Sequence, residues 1–62
     1  MTTEFSVEVP NVGKVDVDRQ NDGQDDFWDL FDQDGFCLNE GNPFFTLPTE
    51  KEVIDFVTAN QQ

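Results

Sequence analysis

A chain of 62 residues with one cysteine and no histidine must be held folded by packing or by oligomerisation, because it can form no intrachain disulfide and lacks the usual ligands of a structural zinc ion. A domain of this size buries only about 60% of the surface that its unfolded chain exposes. Seven phenylalanines and Trp28 supply large apolar groups for that packing. The length allows one domain, residues 1–62, and the sequence leaves open whether it is a monomer or a homodimer.

The charge of the chain limits its partners. The chain has fourteen acidic residues and only three basic ones, Lys14, Arg19 and Lys51, so its formal net charge is −11. Such a surface repels nucleic acid and anionic membranes and attracts basic protein surfaces, unless the acidity serves only solubility. The N-terminus, Met1-Thr2-Thr3-Glu4, has neither the basic nor the apolar segment of a signal peptide, so we expect a cytoplasmic protein.

Two segments near the N-terminus alternate between apolar and polar residues with the period of two that is typical of β-strands. The first is Glu4–Val9, the second is Lys14–Asp18, and the turn Pro10–Gly13 lies between them. We therefore predict an antiparallel hairpin with one apolar face. The next stretch, Arg19–Asp26, contains no apolar residue and is predicted to be a loop or the outer end of a strand.

A second hairpin is predicted to turn at Asp34-Gly35, which separates the apolar runs FWDLF and FCL. A two-residue turn pairs Leu38 with Phe31, whereas a four-residue turn pairs Leu38 with Leu30 and exchanges the two faces. The register stays open between these two alternatives. A helix over Asp25–Gln33 is a further interpretation, because its apolar residues also fit helical spacing.

The C-terminal helix has the clearest signal. Thr49-Glu50-Lys51-Glu52 is a capping box, and the apolar stripe that follows predicts a helix from about Glu50 to Ala59. Together the elements predict an α+β fold: a small antiparallel sheet of two hairpins, with three to four strands, and one C-terminal helix packed on it. The predicted core consists of Phe5, Val7, Val15, Val17, Leu30, Phe36, Leu38, Val53, Phe56 and Val57.

The stretch Asp18–Asp29 resembles the calcium loop of EF-hand proteins in part of its spacing, with Gly23 at the sixth of twelve positions. It departs from that pattern at the eighth position, where Asp25 replaces an apolar residue, and at the twelfth, where aspartate replaces glutamate. The resemblance implies a small calcium-binding domain as an alternative function. The residues that would bind the metal are Asp18, Gln20, Asp22 and Asp29.

Eight aspartates fall within the nineteen residues from Asp16 to Asp34. Carboxylates at near-regular intervals on a rigid ribbon can imitate a phosphate backbone. We therefore expect an acidic interaction module that binds a basic protein, as an inhibitor or a nucleic-acid mimic, with salt-sensitive affinity. The predicted partner-binding residues are Asp25, Asp26, Asp29, Asp32 and Trp28. The competing interpretation is that these acids are solubility and turn residues.

The remaining residues argue against catalysis. Phe27 and Trp28 must point to opposite faces of a strand, so one of them is expected to be partly exposed beside the acids. Cys37 has no histidine to act as its base, so we expect a small, buried apolar residue. A chain of 62 residues scarcely builds a concave pocket, so we expect neither enzyme activity nor a cofactor. An accessory domain with no ligand is a third alternative.

Overall fold

A computed structural model of the chain describes residues 2–60. Three strands are followed by one helix, in the order β1 (Thr2–Val9), β2 (Gly13–Asn21), β3 (Asp26–Phe31) and α1 (Glu50–Ala59). The strands form one antiparallel sheet in the order β1-β2-β3, and α1 packs on one face of it. The predicted α+β fold with a C-terminal helix is confirmed, with three strands.

The first hairpin forms where the alternation predicts it, with Val7 opposite Val15. Its turn is closed by the Val12 amide, which donates to the Val9 carbonyl at 3.0 Å. Gly13 has a φ of +105°, a conformation that residues with a Cβ rarely adopt, and it begins β2. This glycine therefore lets the chain leave the turn directly into the second strand.

A β-bulge at Glu4 changes which residues share a face of β1. Thr3 pairs with Asp18 and Phe5 pairs with Val17, so Glu4 is an extra residue in the ladder. Without the bulge, Thr3 and Phe5 would point the same way. The bulge instead keeps Phe5 on the apolar face and places Thr3 on the polar one.

The second strand is longer than the sequence predicts, because β2 continues to Asn21 and pairs there with Asp26. Of the two interpretations of this segment, the outer end of a strand is therefore correct as far as Asn21. The turn to β3 is stabilised by side chains: Asn21 Oδ1 accepts from the Gly23 amide at 2.7 Å, and Asp22 Oδ1 accepts from the Asp25 amide at 2.9 Å. These short polar side chains explain how a run without apolar residues still forms a hairpin.

The helical interpretation of Asp25–Gln33 is wrong, because most of this segment is strand β3. The register that pairs Leu30 with Leu38 is confirmed: the Leu38 amide donates to the Leu30 carbonyl at 2.7 Å, and Phe31 is bridged to Cys37. A fourth strand does not form after this bridge, since the chain turns away directly beyond it.

At the outer edge of β3, the side chain of Asn39 forms the hydrogen bond that a neighbouring strand would otherwise form. Its side chain is buried, and its Oδ1 accepts the Leu30 amide hydrogen at 2.9 Å. The chain then returns to the same edge, where Trp28 and Phe44 exchange backbone hydrogen bonds of 2.8 and 3.0 Å. The edge of β3 is thus covered by a loop and one side chain, which removes a site for edge-to-edge association.

The helix begins and ends as predicted. Thr49 accepts from the Glu52 amide, Glu52 accepts in return from the Thr49 amide at 2.8 Å, and the capping box is complete. Val53 and Val57 are buried against the sheet. Within residues 2–60, no helix is long and apolar enough to cross a membrane.

The core lies between α1 and the apolar face of the sheet. Phe5, Leu38 and Phe56 of the predicted core are partly buried against it. The prediction was wrong for Phe36, which is 69% exposed, because its backbone pairs with Asp32 beyond the end of β3. It also omitted Val9, which is buried. The buried residues of this core cluster are Val7, Val9, Val15, Val17, Leu30, Val53 and Val57.

Candidate functional site

The face of the sheet opposite α1 carries most of the polar strand residues, and we call it the open face. Strand alternation and the observed register decide which side chains belong to it. On β2 they are the residues that alternate with the buried valines, and on β3 they are the residues that alternate with Trp28 and Leu30. The open face consists of Thr3, Ser6, Glu8, Lys14, Asp16, Asp18, Gln20, Phe27, Asp29 and Phe31.

Three carboxylates at the centre of the open face are held in place by uncharged donors. The Ser6 hydroxyl donates to Asp16, and the Thr3 hydroxyl donates to Asp18, each at 2.6 Å. Gln20 Nε2 donates to Asp29, also at 2.6 Å. These bonds fix the carboxylates without neutralising their charge.

The cations of the chain lie mostly elsewhere. Within residues 2–60 there are two ion pairs, Arg19 with Glu4 at 3.4 Å and Lys51 with Asp55 at 2.7 Å. Lys14 is on the open face and faces Glu8 across the first hairpin. The three central carboxylates have no ion-pair partner in the described part of the chain, so the open face keeps a concentrated negative charge.

Asp18 and Asp29 lie directly opposite each other on neighbouring strands. Asp18 is only 7% exposed, although it carries a carboxylate. Burial raises the pKa of Asp29, and the charge of Asp18 raises that pKa further. Opposed like charges destabilise a sheet, so this pair costs the fold stability when both groups are ionised.

We expect the substitution Asp29→Asn to increase the free energy of unfolding at pH 7 by about 0.2–1 kcal/mol, since it removes one of two opposed like charges. Because the pKa of Asp29 is raised in the folded state, the wild type gains stability as the pH falls from neutral towards the ordinary value of 3.8. The gain from the substitution should therefore shrink over that range. Urea unfolding at pH 7 and at about pH 4.5 measures both effects.

The matched control for this prediction is Asp34→Asn, which removes the same charge from an exposed turn. An Asp29→Asn variant that is no more stable than Asp34→Asn at pH 7 would show that the opposed carboxylates do not repel each other measurably.

The structure separates the predicted partner-binding residues. Asp25 and Asp26 are exposed at one end of β3, whereas Asp32 follows its other end and accepts hydrogen bonds from the Asp34 and Phe36 amides. Trp28 lies on the opposite face from Asp29 and packs against the core. Of the five predicted residues, only Asp29 belongs to the open face.

Trp28 and Phe27 are both partly exposed, but they have different surroundings. Trp28 lies on the helix side, where its indole Nε1 is buried and has no hydrogen-bond partner within the described residues. Phe27 lies on the open face, opposite Gln20. Of these two rings, Phe27 is therefore the one that shares the open face with the central carboxylates.

The predicted calcium ligands are only partly brought together. Asp18, Gln20 and Asp29 are neighbours on the open face. Asp22 lies four residues beyond Asp18, about 13 Å along an extended chain, and its carboxylate lies at the turn and accepts from the amides of Gln24 and Asp25. These two bonds lower the pKa of Asp22. Residues 2–60 contain no group of three or more acidic, cysteine or histidine side chains suited to hold a metal ion.

Cys37 is partly buried beside Phe31, and its thiol donates to Asn39 Oδ1 at 3.4 Å. Burial is the largest effect and raises the pKa of the thiol; a hydrogen bond with the Asn39 backbone opposes it, and the nearby charges of Asp29 and Glu40 raise the pKa further. A thiol in this environment stays protonated at neutral pH and is a poor nucleophile.

A pocket of about 280 Å³ lies at the end of the sheet near the C-terminus of α1. Val12, Leu38 and Val57 form its apolar surface, and Asn11 and Asn60 complete its lining. None of these side chains can act as an acid, a base or a nucleophile at neutral pH. The pocket therefore has the composition of an incompletely filled end of the core.

Three large apolar side chains are exposed, and sequence reasoning did not select them as surface features. They are Phe36 at 69%, Phe45 at 68% and Leu47 at 48%. Of these three, only Phe36 is part of a sequence-based prediction, which places it in the core. The available signal was the position of both phenylalanines next to turn residues, where a chain leaves its sheet.

Comparison with known proteins gives no relative: no family model, no curated protein and no solved structure matches the chain. No residue role is therefore transferred from another protein.

Proposed function

We propose that this protein is a non-catalytic acidic module whose open face binds a basic surface of a partner protein. The observation that carries the proposal is the set of three carboxylates, Asp16, Asp18 and Asp29, that are fixed by uncharged donors and have no ion-pair partner within the described residues. Because these carboxylates are already ordered before binding, less of the binding free energy is lost to ordering them when a cation binds.

The net charge of −11 supports the same class of partner. A field of this sign attracts cationic surfaces over distances comparable to the Debye length, about 8 Å at physiological ionic strength. A partner protein that uses a surface rich in lysine and arginine to bind another anion would present such a cationic surface. Basic nucleic-acid-binding proteins are the best-known class of this kind.

Imitation of nucleic acid is the narrower form of the proposal. Asp16 and Asp18 are alternate residues of one strand, so their side chains recur about 6.6–6.8 Å apart along the open face. Asp29 adds a further charge on the neighbouring strand. We propose that this ribbon of charge occupies the nucleic-acid-binding surface of its partner, which DNA or RNA would then compete for.

The test compares two double variants that remove the same formal charge. Asp16→Asn with Asp29→Asn changes the open face, whereas Asp25→Asn with Glu50→Gln changes the turn and the helix. The probe is a capped eight-residue peptide of alternating arginine and lysine, titrated by calorimetry at about 50 mM and about 500 mM salt.

We expect the open-face variant to lose about tenfold or more in affinity, as for one charged hydrogen bond of about 1.5–3 kcal/mol, and the control to lose markedly less. For the wild type and for both variants, the affinity for the peptide should be lower at the higher salt concentration. Equal losses in the two variants would mean that the peptide responds only to net charge, and the open face would not be the binding surface.

A further inference from the structure

Two aromatic side chains flank the central carboxylate pair on the open face. Phe27 and Phe31 lie on β3 at two residues before and two residues after Asp29, so all three side chains point to the same side. The two rings are about 13 Å apart along the strand, and both are partly exposed. The row Phe27-Asp29-Phe31 thus places a carboxylate between two aromatic groups.

The loop that covers the edge of β3 extends this row. The antiparallel bridge between Trp28 and Phe44 brings Phe45 beside Phe27, and Phe45 is 68% exposed. At the other end, Cys37 is bridged to the open-face residue Phe31, so Phe36, which pairs with Asp32, alternates to the other side and is not part of the row. Two partly exposed aromatic rings around a carboxylate, with a further exposed ring beside one of them, are unusual on a surface that only has to be soluble.

We propose that the row Phe27-Asp29-Phe31 binds an arginine side chain of the partner protein, a specificity that rests on the proposed function of the open face. Gln20 donates to Asp29 Oδ2, which leaves Oδ1 without a donor in the described part of the chain. A guanidinium group can donate to that carboxylate while its plane lies against an aromatic ring.

Arginine fits this row better than lysine for physical reasons. Its guanidinium group is planar, weakly hydrated and able to stack on aromatic faces while it donates to a carboxylate. A lysine ammonium group is a strongly hydrated point charge, which loses more on leaving water beside Phe27 and Phe31. The opposed charge of Asp18 strengthens the attraction for either cation, so it does not contribute to the distinction.

A second copy of the chain is the main competing occupant of these aromatic side chains. Two copies would bring net charges of −11 together, and the open face of each would present the same carboxylates to the other. The charge therefore selects a cationic occupant over self-association.

The experiment uses the full chain and two capped peptides of equal length and charge, tetra-arginine and tetra-lysine, at about 50 mM salt. We expect tetra-arginine to bind about fivefold more tightly, as for one or two cation–π contacts. The double variant Phe27→Leu with Phe31→Leu keeps apolar side chains of similar bulk and should lose this preference. Its affinity for tetra-lysine should stay within about twofold of the wild type.

Each outcome separates the two proposals. Equal binding of both peptides by the wild type would overturn the arginine specificity and leave the acidic module intact. Failure of both peptides to bind more tightly than a neutral peptide of the same length would overturn both proposals. Amide chemical shifts on β3 that move with protein concentration in the absence of peptide would identify a second copy as the occupant, and this would overturn the inference as well.

Discussion

Replacing Asn39 by alanine is expected to lower the free energy of unfolding by about 2–4 kcal/mol, although the residue lies in a loop. Its side chain is 1% exposed and accepts the Leu30 amide hydrogen at 2.9 Å. The Nδ2 atom of the Asn39 side chain donates to the Trp28 and Asn42 carbonyls at 3.4 and 3.2 Å. Alanine would leave the Leu30 amide buried and unpaired, which by itself costs about 1–3 kcal/mol.

Urea unfolding measures the effect, and Asn42→Ala is the matched control because Asn42 is exposed in the same loop. A domain of this length has a total stability of roughly 3–9 kcal/mol, so the Asn39 variant should be partly unfolded at room temperature if the wild type is near the lower limit. Similar midpoints for the two variants would mean that Asn39 does not support the edge of β3.

The second large effect is expected for Leu30→Ala, which should cost about 2–5 kcal/mol because the side chain is fully buried between the sheet and α1. Phe36→Ala removes a larger side chain, yet it should change stability by no more than about 0.5 kcal/mol, since Phe36 is exposed. Comparison of the two variants tests whether burial or the size of the removed side chain determines the loss of stability. A Phe36 variant that is destabilised as strongly as the Leu30 variant would place Phe36 in the core after all.

Local signals were sufficient to predict the helix and the first hairpin. The capping box at Thr49 and the apolar stripe of α1 are both determined by residues within one or two helical turns. The alternation of β1 and β2 is similarly local, and it places Val7 and Val15 in the core. These elements were predictable because each residue's preference agrees with its position in the fold.

Contacts between distant residues could not be predicted in the same way. The bulge at Glu4 is visible only through the pairing of β1 with β2, and Asn39 acquires its role only when the loop closes on β3. Phe36 was misplaced because an apolar residue after an Asp-Gly turn fits either a strand or an exposed loop. In each case the sequence allows two arrangements, and tertiary packing selects one.

The candidate site follows the same division. The alternation of β2 indicated that Asp16 and Asp18 lie on the polar face of the sheet, and the acid-rich stretch indicated Asp29 as a partner-binding residue. The open face also depends on Thr3 and on the ring of Phe27, whose places are set by the bulge and by the register of β3. The linear cluster of aspartates therefore divides into a sheet group on the open face and two further groups, one at the turn between β2 and β3 and one at the turn after β3.

The most direct test of the account is an amide chemical-shift titration of the wild-type protein with the capped tetra-arginine peptide. We predict that the largest changes fall on the amides of Asp16, Asp29 and Phe31, and that those of Glu50 and Asp55 on α1 remain unchanged. Changes that are spread evenly over all exposed acids, or that are confined to the turn at Asp22–Asp25, would contradict it.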